Sequence, residues 1–82
     1  MPYEITAPTP GIFWHQADPG AEAFARPGDE VARGSVIGMI EVMKMFMNIE
    51  STEDCVFGRY LAGNGESVNM GTPLIEVMAQ DL

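Results

Sequence analysis

The stretch Val36-Ile37-Gly38-Met39-Ile40-Glu41-Val42-Met43-Lys44-Met45-Phe46-Met47-Asn48-Ile49 decides how this chain folds. Before Lys44 the apolar residues Val36, Ile40 and Val42 hold even positions, and after it Met45, Met47 and Ile49 hold odd ones. Side chains of a strand alternate faces, so apolar residues at period two mark strands, and a two-residue turn between antiparallel strands requires such a flip of parity. A loop of Met43 and Lys44 pairs Val42 with Met45, Ile40 with Met47 and Gly38 with Ile49, each pair on one face of the ribbon. The competing reading is a buried helix over residues 39–47. Gly38 and Asn48 bound that segment tightly and no N-cap residue precedes it, so the hairpin is preferred.

Tight hairpin turns normally recruit Asn, Asp or Gly, because their central residues take positive φ. Met43-Lys44 supplies none of these, so local preference is overruled where a particular side chain is wanted at a particular place. Lys44 is also the only lysine of the chain.

Outward from the hairpin the chain repeats itself. GDEVARGS (28–35) matches GESVNMGT (65–72) at an offset of 37, aligning Gly28 with Gly65, Val31 with Val68 and Gly34 with Gly71. Ile5 matches Ile49, Ile12 matches Val56 and Phe13 matches Phe57 at an offset of 44. The change of seven places an insertion between Trp14 and Gly28, in HQADPGAEAFARP, expected to protrude as a loop, with Pro19-Gly20 marking a turn inside it. Two similar halves imply a pseudo-two-fold axis, with neither half able to bury its apolar face alone. Glycine and proline recur every eight to twelve residues or so, which favours short strands over helices. The expected architecture is all-β, in one domain over residues 1–82.

Twelve acidic residues against four basic ones give a net charge of −8, which repels nucleic acid and anionic lipid. The near-apolar run 36–47 is too short to span a bilayer and contains Glu41 and Lys44. No secretory pattern opens the sequence, and the single cysteine, Cys55, has no internal partner, so a reducing cytoplasm is expected. One histidine, His15, and one cysteine are too few for a zinc site, and Gly63-Asn64-Gly65 reads as a turn, not a phosphate loop. Phe13, Trp14, Phe24 and Phe57 are expected in the core or at its edge, without direct chemistry. No nucleophile with an adjacent base and no paired catalytic carboxylates are evident, so no catalytic residues are assigned.

Glu41-Val42-Met43-Lys44-Met45 resembles the Glu-Ala-Met-Lys-Met signature of biotinyl domains, the biotin carboxyl carriers of biotin-dependent carboxylases. The likeness runs from about Ile5 to Val77. It includes GIFW and the following ADPGAEAF, which is similar to the thumb of bacterial acetyl-CoA carboxylase carriers and suggests a thumb-like insertion at residues 15–24. The resemblance implies a flattened β-barrel of two four-stranded antiparallel sheets with biotin joined covalently to Lys44. It also implies three partners: a biotin protein ligase, a biotin carboxylase using ATP and bicarbonate, and a carboxyltransferase that passes the carboxyl group on, in the service of fatty acid biosynthesis. Glu41 would then serve ligase recognition. Met43 and Met45 would give the tip unbranched, polarizable surface for differing partners. No histidine, cysteine or tyrosine lies beside Lys44 in the sequence, so activation of its amine would fall to the ligase.

Val42 stands where the signature has alanine, and Gln16 where bacterial thumbs place threonine. Lipoyl domains, the nearest rival, share the expected fold but usually carry Asp before the lysine and Ala after it. The remaining alternative is an unmodified scaffold module.

Overall fold

A computed structural model of the chain describes residues 2–18 and 20–80. Eight strands run in the order β1 (Pro2–Thr6), β2 (Gly11–Trp14), β3 (Glu30–Val31), β4 (Val36–Val42), β5 (Met45–Glu50), β6 (Cys55–Tyr60), β7 (Glu66–Val68) and β8 (Pro73–Ala79). They form two antiparallel four-stranded sheets, β1-β8-β6-β3 and β5-β4-β2-β7. The described residues contain no helix, hence none long and apolar enough to cross a membrane.

The two halves exchange strands, and the offsets of 44 and 37 recur in the hydrogen bonds between them. Gly28 N–H donates to the Phe57 carbonyl at 2.8 Å, and Gly65 N–H donates to the Phe13 carbonyl at 2.7 Å. Gly34 N–H reaches the Ser51 carbonyl and Gly71 N–H the Ala7 carbonyl, both at 2.8 Å. These four glycines have φ between 83° and 91°, a region open to a residue without Cβ, which explains why the repeated motif begins and ends on glycine. Strand order maps in the same way, β1 onto β5, β8 onto β4, β6 onto β2 and β3 onto β7. One pair of bulges agrees too: the register slips between Ile5 and Thr6 where β1 meets β8, and between Val36 and Gly38 where β4 meets β5.

Inward-facing residues of both sheets close one core. Phe13, Phe57, Ile37, Ile40, Leu74, Ile75, Val77 and Cys55 are fully buried there. Neither half could hide this surface alone, since each strand pair joins one half to the other except the matched contacts β2–β4 and β6–β8. Phe24 and Trp14, expected in the core or at its edge, are half-buried but are not among the partly buried residues packed against it, which are Tyr3, Ile5, Val42 and Tyr60.

Residues 15–18 and 20–29 lie in the irregular connection between β2 and β3, where the offset arithmetic placed its insertion. Phe24 N–H donates to the His15 carbonyl at 2.8 Å and ties the neck of the loop, while residues 17–18 and 20–23 are exposed. Gly20 has φ +85°. Pro19, the other half of the expected turn, lies outside the described residues. His15 anchors the neck further: its ring stacks on Tyr60 with centroids 3.8 Å apart, Nε2 lies 2.7 Å from the Ala62 carbonyl, and its N–H donates to Asn64 Oδ1 at 2.7 Å.

Candidate functional site

The β4–β5 hairpin has the register read from parity: Val42 faces Met45, Ile40 faces Met47 and Gly38 faces Ile49. Its turn consists of Met43 at φ 49° and Lys44 at φ 70°, the only described non-glycine residues with positive φ. Two successive residues in the left-handed region are what a primed turn demands, and each non-glycine residue held there costs roughly 1–2 kcal/mol. The twist of the flanking strands imposes the turn, and the lysine rides on it.

Lys44 is exposed, and neither of the two ion pairs among the described residues involves it. Its neighbours Met43 and Met45 are 92% and 74% exposed, and Phe46 and Met47 continue the uncovered apolar surface along β5. β5 is an edge strand, so this surface meets solvent along its length. Apolar side chains gathered in this way on so small a domain mark a contact surface.

Glu41 lies three residues before Lys44 and pairs across the ribbon with Phe46. It is half-buried, and Trp14 Nε1–H on the neighbouring strand β2 donates to its Oε1 at 3.2 Å. Because Phe13 and Ile40 point inward, alternation sends Trp14, Met39 and Glu41 to the outer face. There they floor a cleft of about 430 Å³ with Phe46 and Asn64, walled by Gln16, Ala17, Asp18 and Gly20 of the loop. Lys44 itself borders a second, more open hollow of about 560 Å³ beside Glu41, Thr9, Gly11 and Ser67.

The structure thus gathers Lys44, Met43, Met45 and Glu41 on one hairpin. It adds three residues to which the sequence assigned no part in the site: Trp14 and Asn64, and Phe46 as an exposed ring beside Glu41. The signal for Trp14 was available in the alternation of GIFW, since an inward Phe13 obliges an outward Trp14; what the pattern lacks is that β2 lies beside β4. Cys55 is buried and unpaired, 3.4 Å from Ser51 Oγ. No group of three or more His, Cys, Asp or Glu that could hold a metal occurs among the described residues.

Two exchanged half-sheets closed around one core, with the chain's single lysine on a strained, exposed hairpin turn, define a lysine-displaying domain of carrier type. The chain belongs to the biotin/lipoyl family, whose family model, described as biotin-requiring enzyme, matches residues 3–78. It is 32% identical over 73 residues to the chloroplastic biotin carboxyl carrier protein of acetyl-CoA carboxylase 2 from Arabidopsis thaliana, covering 89% of this chain and 29% of that protein. It is 31% identical over 74 residues to the biotin carboxyl carrier protein of acetyl-CoA carboxylase from a Nostoc species, covering 90% and 41%. The chain therefore spans less than half the length of these relatives. A solved single-chain, multi-domain long-chain acyl-CoA carboxylase contains the same fold, with a TM-score of 0.80 at 20% identity over 99% of this chain and 7% of that one.

Proposed function

We propose that this domain is a biotin carboxyl carrier, with biotin joined by an amide to Lys44, and that it moves a carboxyl group between a biotin carboxylase and a carboxyltransferase. The observation that carries this reading is the position of Lys44: the sole lysine, exposed, on a two-residue turn whose residues both hold positive φ. The site suits the group, because an exposed primary amine without an ion pair is open to acylation and no buried charge has to be neutralised. Biotin, when bound, supplies a ureido nitrogen that takes up and releases a carboxyl group. The chain's own residues do the rest.

The rigid ribbon holds the attachment point clear of the barrel. Met43 and Met45 pack against the differing apolar walls of partner sites. Glu41, fixed by the Trp14 indole, presents a carboxylate to the biotin protein ligase that loads the lysine. A tethered group meets its partners at roughly millimolar effective concentration, so the reactive carboxylated form need not diffuse free. In this reading the domain transports and does not catalyse.

The curated relatives support acetyl-CoA carboxylase as the assembly, and with it fatty acid biosynthesis. The unpaired Cys55 favours a reducing compartment such as the cytoplasm. The net charge of −8 disfavours nucleic acid and anionic membrane as partners.

Intact mass after incubation with a biotin protein ligase, ATP and biotin tests the proposal. A gain of one biotin by the wild type, absent in Lys44→Arg, is expected. No gain, or a gain at the same site only when a lipoate ligase is supplied, would overturn it in favour of the scaffold or lipoyl reading.

A further inference from the structure

The lysine is flanked by the two thioethers most open to solvent among the described residues: Met43 is 92% exposed and Met45 74%. Neither belongs to the buried core cluster, and neither packs against it. Met47, 44% exposed, follows on the same face of β5 as Met45, while Met39 on β4 is half-buried. The exposed thioethers of this ribbon are therefore concentrated at the one place where chemistry is proposed.

We infer that Met43 and Met45 form an oxidation-sensitive pair, and that their conversion to sulfoxides by a hydroperoxide slows the loading of Lys44. In the step, the thioether sulfur attacks the distal peroxide oxygen, the S–O bond forms as the O–O bond breaks, and water or an alcohol leaves with the proton. Sulfur is oxidised by two electrons and the peroxide is reduced by two, so no other reactant is needed. Exposure governs which methionines react, and the product exchanges a flexible apolar side chain for a polar, chiral one.

Two such dipoles on either side of Lys44 must be desolvated wherever the tip docks against apolar surface, which opposes docking. Because both side chains lie outside the core, the barrel itself is unaffected. Methionine sulfoxide reductases reverse the change, which makes the pair a switch and not merely a site of damage.

The inference rests on Lys44 being the loaded residue, and the experiment separates the two ideas. The carrier without biotin is treated with hydrogen peroxide, its sulfoxides are located by peptide mass, and the initial rate of loading by a biotin protein ligase is compared with that of untreated protein. Oxidised wild type is expected to load about tenfold more slowly, equivalent to about 1.4 kcal/mol, and to recover after treatment with methionine sulfoxide reductases A and B. A Met43→Leu/Met45→Leu variant is expected to load at one rate before and after peroxide, although the exposed Met47, Met70 and Met78 remain oxidisable. Equal loading of oxidised and untreated wild type, or an equal slowing of the double variant, overturns the switch alone. Failure of the untreated wild type to load overturns the carrier reading and the switch together.

Discussion

The two sheets share strand order, turn hydrogen bonds and most of their register, yet at several matched positions they carry unlike side chains. Gly38 of β4 corresponds to Ile75 of β8, and Gly11 of β2 to Cys55 of β6. A Cβ on Gly38 would sit 2.7 Å from Phe13 Cε1, whereas the Ile75 side chain is fully buried with room of its own. On the outer face the contrast is larger. Trp14 corresponds to Gly58, where the register slips between Phe57 and Arg59, and Glu41 corresponds to Met78. The indole-to-carboxylate bond and the cleft beside the hairpin therefore have no counterpart in the other sheet. The repeat supplies a frame that both halves need for stability, and the departures from it collect where one half does something the other does not.

The frame is tested by removing its matched rings. Phe13→Ala and Phe57→Ala each empty a fully buried site and are expected to cost about 3–5 kcal/mol in urea unfolding. Near-equal losses support equal roles in the frame. A loss at one position smaller than about half the other would mean that the symmetry is one of backbone only.

Alkaline pH probes a residue on one side of the comparison alone. Tyr60, half-buried, donates its hydroxyl to the Ile37 carbonyl at 2.8 Å and stacks on His15, and burial pushes its phenol up to about 12. The neutral phenol is thus favoured by folding. Its contribution is fully present below about pH 10, the ordinary value for the unfolded chain, and is lost as pH rises toward 12. Discounted for the solvent that still reaches the half-buried ring, the loss is on the order of 1 kcal/mol. Thermal melts between pH 9 and 12 should show stability falling, less steeply in Tyr60→Phe; the same slope in both would assign the fall to other groups, Tyr3 with its buried hydroxyl first among them.

Gly38→Ala sharpens the contrast with Ile75. The added methyl meets a ring edge that is itself fully buried and has nowhere to move, so about 2 kcal/mol of overpacking cost is expected by denaturant titration. A neutral result would show that the Phe13 ring has freedom the packing does not suggest.

How much of this could be read from the chain differs between frame and site. Parity around Lys44 yields the hairpin register, and the offsets of 44 and 37 yield the two similar halves and the position of the long loop, because period two and glycine turns are local consequences of backbone geometry. The Trp14–Glu41 bond spans 27 residues, the His15–Tyr60 stack joins the loop neck to β6, and the Gly58 bulge has no partner in the repeat. These depend on which strands become neighbours, and the pattern of one strand carries no record of the next. Trp14 lies on the outer face beside Glu41 for that reason, while Phe13 and Phe57, expected in the core or at its edge, are buried in it.

The smallest expected effect lies at the turn itself, and its sign carries the information. Among the described residues, non-glycine residues at positive φ occur only at the Met43-Lys44 turn. Replacing them by Asn and Gly, as Met43→Asn with Lys44→Gly, removes roughly 2 kcal/mol of strain in all, most of it at the glycine, since asparagine still carries a Cβ. About 0.5–1 kcal/mol is lost in return, because glycine loosens the unfolded chain. A net gain of about 1 kcal/mol in unfolding free energy is expected, together with complete loss of biotin loading. A stabilised but unloadable variant would mean that the turn is held against local preference in order to display the lysine. A destabilised one would mean that the Met43 and Lys44 side chains themselves brace the ribbon, and that the strain has a structural origin with no bearing on the site.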